Sequence, residues 1–389
     1  MKEILFFKTK DLCYESNSTF ITEMAKSLKK LGVKVDLCEV MDEEHAVEEL
    51  EKYVGKHYDA CIDFNAVTPR AVFDDGPPFL DTIDAPFFNY IVDHPFYHHP
   101  ILKLPLKDYH VLCLDENHVK YIQRYYPHIK SAHFLPLGAM RGIVDVPYEQ
   151  KKTDLLFTGT YYKTGDIYIN EIRKQPEQEQ KDMKAIIDIM LSDPALNMEQ
   201  CLKKVLDDTG RELTDQQFMT TMNRYYNAEF YVRSYHRNAL IGTILEAGIP
   251  LTVLGNGWDE YETSYRRYLT VREPVGYSLS LEMILHAKML LNILPNFKGG
   301  IHDRVLSAMI NRSISVTDTS TYLKREFTDG RDLIFYELNH MDALPGRITE
   351  ILENPDLGNQ ISEQGYQKAA NGFTWDVRME EFLKILENL

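Results

Sequence analysis

Asn296-Phe297-Lys298-Gly299-Gly300-Ile301-His302-Asp303-Arg304 runs into an apolar stretch ending at Ile310, and then into Ser313-Ile314-Ser315-Val316-Thr317-Asp318. The glycine pair lets the backbone come close to a ligand, because no Cβ intervenes. The spacing predicts a helix from Asp303 to about Ile310, whose first N–H groups and positive dipole end face the glycine loop and favour phosphate or carboxylate. Arg304, in the first helical turn, adds a rigid fork of donors suited to phosphate oxygens. The segment after the helix reads as a buried strand. Strand, glycine loop, helix and strand together form the local architecture of a nucleotide or sugar-nucleotide site.

Working outward, strands alternate with helices on both sides of this unit. In the N-terminal part, Ile4 to Phe7 reads as a strand and Asn17 to Leu31 as a helix closed by Gly32. Further apolar runs lie at Val33 to Val40, Ala60 to Phe64, Phe87 to Val92, Val111 to Leu114 and Ser131 to Leu137. Ala139 to Lys152 reads as a linker. A second series opens with Asp154 to Thr160 and resumes at Pro250 to Leu254, Leu269 to Arg272, Met289 to Leu294, Ile314 to Thr317 and Leu333 to Tyr336. Between its first two strands lies a polar helical stretch from about Asn170 to Gly248, in which Glu177 to Lys184 reads as a solvated helix face. A last helix spans Trp375 to Leu389.

This alternation predicts an α/β protein with two Rossmann-like, parallel, doubly wound domains facing a cleft, and a helical insertion in the second. The expected domains are 1–150 on the acceptor side, 151–374 on the donor side, and the helix 375–389, packing back on the first.

The bulk composition narrows the class. A chain of 389 residues exceeds one ordinary core. Hydrophobic residues make up 44% and charged residues 26%, as in a globular protein and unlike a disordered one. A formal charge of −16 disfavours nucleic acid as a partner, since that binding depends on neutralised phosphates. No apolar run is long enough for a membrane span, and the short apolar part of Met1 to Lys8 reads as a strand and not as a signal peptide. Cys13, Cys38, Cys61, Cys113 and Cys201 are scattered and lack a Cys-x-x-Cys pair, so they read as reduced core thiols in the cytoplasm.

Several fragments are similar to the GT-B glycosyltransferases, in particular the group related to spore-maturation (spore coat) glycosyltransferases. They are Phe157-Thr158-Gly159-Thr160, Leu254-Gly255-Asn256-Gly257-Trp258, Gly300-Ile301-His302-Asp303-Arg304, Ser315-Val316-Thr317-Asp318 and Gly372-Phe373-Thr374-Trp375-Asp376-Val377-Arg378. The resemblance covers most of 154–389. In the N-terminal half only Asp93-His94-Pro95 and Leu135-Pro136-Leu137-Gly138 look familiar. It implies a bacterial-type transferase in glycan or glycoconjugate biosynthesis that needs neither cofactor nor metal. The C-terminal domain would hold the nucleoside diphosphate of a sugar donor, and the N-terminal domain an acceptor of unidentified class. Retaining relatives carry two glutamates eight residues apart. Here Gly299 and Ser307 stand at those positions, so neither carboxylate is present and inversion or retention stays open.

The expected donor-binding residues are Gly159, Thr160, Gly255, Asn256, Gly257, Asn296, Gly299, Gly300, His302, Asp303, Arg304 and Ser307. Arg304 reads either as a diphosphate ligand or as a surface ion-pair partner. His302 reads as a helix-entry residue or as a donor to sugar or phosphate. Trp258 reads as packing under its loop.

Asp93 and His94, at the end of a strand, are the candidate catalytic base for an inverting reaction. The alternative is a loop closed by an Asp side chain on its own backbone. For a retaining reaction the donor phosphate would take that role. His94, His98 and His99 do not make a metal set, because prolines interrupt any regular helix there. Seven of the thirteen histidines lie between 94 and 133, and read as a polar cleft wall. The rival reading of the chain is a non-catalytic nucleotide-sugar or glycan-binding protein descended from such an enzyme.

Overall fold

The computed structural model describes residues 1–8, 15–40, 45–73, 76–163 and 167–389. Contacts divide the chain into two compact units, one formed by Met1–Gly138 with Thr374–Leu389 and the other by Ala139–Phe373.

The first unit is built on a six-stranded parallel sheet. Its strands are β1 (Glu3–Lys8), β2 (Lys34–Glu39), β3 (Ala60–Phe64), β4 (Phe87–Ile91), β5 (Tyr109–Cys113) and β6 (Ser131–Phe134), in the order β2-β1-β3-β4-β5-β6. Near-continuous apolar runs such as FFNYI in β4 are buried at every position, as a sheet covered on both faces requires. Helix α1 (Ser16–Lys30) ends as expected: Gly32 takes φ 78° while its amide bonds to the Lys29 carbonyl at 3.1 Å and the Val33 amide to that of Leu28 at 3.0 Å. Helices α2 (Ala46–Glu51), α3 (His99–Leu102) and α4 (Glu116–Tyr125) complete the connections. The terminal helix Trp375–Glu387 packs on α1, with Trp375 against Phe20 (6.0 Å between ring centres) and Phe382 edge-on to Phe88 (5.2 Å).

The second unit carries its own six-stranded parallel sheet. Its strands are β7 (Thr153–Thr158), β8 (Leu251–Leu254), β9 (Leu269–Arg272), β10 (Ala287–Asn292), β11 (Ile314–Asp318) and β12 (Ile334–Tyr336), in the order β12-β11-β10-β7-β8-β9. The expected strands are all found, with small shifts at their ends. The polar stretch between β7 and β8 folds into α5 (Ile167–Arg173), α6 (Glu177–Ser192), α7 (Met198–Asp208), α8 (Asp215–Arg224) and α9 (Tyr226–Glu246). The later helices are α10 (Tyr277–Leu285), α11 (Asp303–Ile310), α12 (Thr321–Glu326), α13 (Leu344–Glu353) and α14 (Pro355–Gly372).

Two expectations need correction. Asp182, on the charged segment of α6, is not solvated: it is 3% exposed, holds Arg211 at 2.7 and 2.9 Å, and accepts a hydrogen bond from the Tyr225 hydroxyl. The stretch 139–152 is more than a linker. Asn311 donates to the Met140 carbonyl and accepts from the Gly142 amide, while the buried Lys151 ammonium bonds to the Leu285 and Asn311 carbonyls at the ends of α10 and α11. Residues 139–150 therefore sit in the second unit. Cys38, Cys61, Cys113 and Cys201 are buried free thiols, and Cys13 lies outside the described residues. Among the described residues no helix is long and apolar enough to cross a membrane.

In the second sheet the direction of winding reverses between β7 and β10, which are hydrogen-bonded neighbours. The loops leaving the carboxyl ends of these strands diverge to opposite sides, and open α/β sheets bind ligands in that crevice. Those loops are Gly159-Thr160 and Pro295 to Gly300.

Candidate functional site

The loop after β7 is knitted to the loop after β8. The Gly159 amide donates to the Leu254 carbonyl (2.9 Å), the Tyr161 amide to that of Asn256 (2.8 Å), and the Trp258 indole N–H to that of Gly159 (2.7 Å). Trp258 is fully buried and packs on Phe157, Tyr161 and Tyr261, so it supports the loop as expected. Gly159, Gly255 and Gly257 have φ of 155°, 145° and 81°. At Gly255 an added Cβ would stand 2.4 Å from the Gly159 carbonyl oxygen, and at Gly257 2.6 Å from that of Tyr161. Gly255→Ala is therefore expected to lower stability by about 2 kcal/mol or more, through backbone strain and the clash together. Urea denaturation would measure it, and an unchanged midpoint would refute this account of the loop.

The loop after β10 leads through half-buried Asn296 to buried Gly299 and Gly300, whose carbonyl accepts the Ser320 hydroxyl at 2.6 Å. His302 then caps α11, with Nδ1 3.3 Å from the Arg304 amide and also touching the Asp303 carboxylate. One nitrogen cannot accept from the first and donate to the second together, so its proton decides which it serves. Asp303 is buried at the start of the helix and accepts from the Tyr277 hydroxyl (2.6 Å). Burial pushes its carboxyl up, but His302, Tyr277 and Arg304 outweigh this and hold it well below the usual carboxylate range. Its stabilising contribution is thus present above the unfolded value near pH 4 and is lost as pH falls through the lower folded value. Asp303→Asn is expected to cost about 3 kcal/mol at pH 7, with the gap to the parent protein closing below about pH 3. Denaturation midpoints across pH 2–7 would check this, and a gap independent of pH would contradict it.

Arg304 leaves α11 to lie against the loop after β7. Its Nη1 donates to the Thr158 carbonyl (2.5 Å), and Nε and Nη2 lie 3.4 and 3.1 Å from the His302 ring nitrogens. At least two of its five N–H groups are left without a protein partner among the described residues, since the imidazole can accept at only one of its nitrogens. Ser307, one turn on, is buried and accepts the Met140 amide at 3.4 Å.

Two residues the sequence reading missed complete the cluster. Arg237 of α9 donates to the Thr160 carbonyl, and its buried Nε has no hydrogen-bond partner among the described residues. Burial lowers its pKa to about 9, with Arg233 and Arg304 pushing the same way. Arg233, one turn earlier, has Glu229 at 3.6 Å. The guanidiniums of Arg304 and Arg237 thus bond the carbonyls on either side of Gly159. The i, i+4 pair Arg233/Arg237 at the end of the helical insertion was the sequence signal that could have revealed them.

In the first unit the carboxyl ends of β3 and β4 meet. Asn65, at φ 43°, donates to Asp93 Oδ2 (2.9 Å) and accepts the Val92 amide (3.0 Å), holding the half-exposed Asp93 carboxylate in place. Phe64 is core, stacked on Tyr90. His94 is buried among Phe96, His118 and Tyr121, and its Nδ1 accepts the Phe96 amide (3.1 Å). Burial, then His118 and His98, keep it neutral by lowering its pKa well below the ordinary value. With Nδ1 accepting, the ring proton sits on Nε2, so the imidazole is set to donate and not to take a proton.

His98 lies 4.0 Å from Asp93, while His99 pairs with the Tyr126 hydroxyl. His110, His128 and His133 do not line a cleft. They bond Asp108 and Ser131, the Leu102 carbonyl, and Ser131 respectively, His110 being buried, His133 half-buried and His128 exposed.

A family profile described as glycosyl transferase-like matches residues 233–384, a span that opens at Arg233 and includes Arg237, the glycine loop and α11. No curated protein sequence matches the chain. Among solved structures it is similar to T4 phage BGT in complex with UDP-glucose (11% identity, TM-score 0.58, covering all of both chains). It is also similar to sucrose-phosphate synthase from Thermosynechococcus elongatus (11%, 0.54, all of this chain and 99% of the other) and to Anabaena HepE with UDP-glucose (8%, 0.54, all of both). The chain therefore carries a glycosyl transferase-like segment on a GT-B fold of two Rossmann-like domains.

Proposed function

We propose that this protein is a metal-independent glycosyltransferase that moves a sugar from a nucleotide-sugar donor to a hydroxyl acceptor. The observation that carries the reading is the Arg237–Arg304 pair flanking Gly159. Two half-buried cations repel one another beside an α11 N-terminus, and an anion with two phosphates relieves that repulsion. The UDP-glucose complexes of T4 phage BGT and Anabaena HepE support a nucleoside diphosphate sugar as that anion.

In this mechanism the acceptor oxygen attacks the anomeric carbon, and the bond from that carbon to the diphosphate oxygen breaks. The diphosphate leaves with the electron pair, and its growing charge is stabilised by Arg304 and Arg237 beside the N-terminus of α11. These fixed charges supply what a metal would. The acceptor proton goes to Asp93, whose carboxylate is oriented by Asn65 and open to solvent, in preference to the proton-donating His94. Asn256, Asn296 and His302 remain donor-contact residues in this reading.

The absence of a carboxylate at Gly299 and Ser307 favours one rival, a nucleotide-sugar-binding protein without turnover. A thermal-shift screen against UDP, GDP, CDP and dTDP sugars, followed by donor hydrolysis with the ligand that binds, separates the two. Stabilisation of roughly a few kcal/mol at saturating ligand is expected, with turnover. Stabilisation without turnover supports the rival, and no shift with any of them refutes both.

A further inference from the structure

The face of the second sheet that α9 covers is apolar for most of its length and then turns polar without partners. Leu240, Ile241, Ile244 and Leu245 of α9 pack there with Leu155, Phe157, Met289, Leu291, Ile314, Val316 and Ile334. Side chains alternate along a strand, so Asp318 continues the face set by Ile314 and Val316. His236 precedes Leu240 by four residues and lies on the same helical stripe. Both therefore belong to the carboxyl-edge end of this layer, beside the glycine loop.

Both are buried, His236 at 3% exposure and Asp318 at 1%. Asp318 Oδ1 accepts the Leu294 amide at 2.5 Å, but its Oδ2 has no hydrogen-bond partner, and neither ring nitrogen of His236 has one among the described residues. Lys298, half-buried in the loop after β10, acts electrostatically on both groups, which places all three within one neighbourhood. Three buried polar atoms without partners carry an uncompensated desolvation cost, and native folds keep such groups where something else satisfies them.

We propose that His236 and Asp318 form a pocket for the hydroxyl groups of the donor's sugar, supplying from α9 and β11 the polar contacts that no glutamate at Gly299 or Ser307 can make. The inference rests on the nucleotide-sugar reading above. A sugar hydroxyl both donates and accepts, so it can satisfy an imidazole with one donor and one acceptor nitrogen and the free lone pairs of a carboxyl. His236 is the chain neighbour of Arg237, and Asp318 and Arg304 both act electrostatically on Tyr336, which puts the pair beside the Arg237–Arg304 cluster, as a sugar linked directly to a diphosphate requires.

The test is calorimetric titration of the whole protein with UDP and UDP-glucose, and in parallel with GDP and GDP-mannose, on the parent, His236→Phe and Asp318→Asn. In Asp318→Asn the amide oxygen still accepts the Leu294 amide, so the fold is retained while the second acceptor is lost. His236→Phe replaces unpartnered polar atoms by apolar ones, which leaves thermal stability equal or higher. Each variant is expected to weaken the sugar nucleotide about tenfold and leave the free diphosphate unchanged. Equal losses for both ligands would assign the groups to ribose or phosphate and overturn the proposal. Unchanged affinity for both would mean that the pocket holds internal water only. If the parent binds none of the four, the nucleotide-sugar reading for these donors falls and this pocket falls with it.

Discussion

Arg304→Ala is expected to weaken binding of the nucleotide sugar and of its free diphosphate alike, by about 2–5 kcal/mol, or some thirtyfold or more, the loss typical of truncating one partner of a buried, charged hydrogen-bonded pair. The guanidinium is held by Thr158 and His302, so it is oriented before any ligand arrives and little ordering cost is incurred on binding. Its positive charge is opposed by Arg237 and Arg233 and relieved by Asp303. Arg304→Lys keeps the charge but loses the fork, and an intermediate loss is expected. Calorimetry on variants shown to be folded by their melting transitions would decide. Full affinity in Arg304→Ala would remove the diphosphate from this loop.

The second large effect is expected at Asp93. Asp93→Asn should lower kcat by roughly a hundred- to ten-thousandfold, the usual range for a general base, while leaving donor affinity unchanged. Asparagine at 93 can still accept from the Asn65 side chain through its oxygen, so the geometry survives and only proton uptake is lost. The measurement is steady-state kinetics with the acceptor found active, alongside donor binding. Unchanged kcat would exclude Asp93 as base and favour a retaining reaction in which the donor phosphate takes the proton.

The fold was legible because its strands are short, apolar and separated by helices, a pattern with few other solutions. The helix expected from Asp303 to about Ile310 is found at Asp303–Ile310, its start marked by the glycine loop and its body by the apolar run. What the sequence hid were contacts made at long range. Arg233 and Arg237 lie more than sixty residues from the glycine loop and look like ordinary charges on a polar helix. Only the close approach of the loops after β7 and β8, allowed by Gly255 and Gly257, shows what these arginines face.

Asp182 was misjudged for the same reason, since its partners Arg211 and Tyr225 belong to other helices. At His94 the tautomer is what the sequence could not show. The residue type suits a base, but the bond from the Phe96 amide fixes the wrong tautomer.

The helix end at Asn311-Arg312 shows how a departure from the usual glycine is accommodated. Arg312 adopts φ 53°, and its side chain lies 3.5 Å over the Tyr366 ring and pairs with Asp145 and Glu363 near 3 Å. Those contacts offset the roughly 1–2 kcal/mol that a left-handed residue with a Cβ costs.

The most direct test of the account is a crystal structure of the protein with the nucleoside diphosphate that stabilises it. Phosphate oxygens are expected about 2.7–2.9 Å from guanidinium nitrogens of Arg304 and Arg237, with the loop at Gly299 and Gly300 turned toward them. A diphosphate bound elsewhere, with both arginines still bonded only to the Thr158 and Thr160 carbonyls, would contradict it.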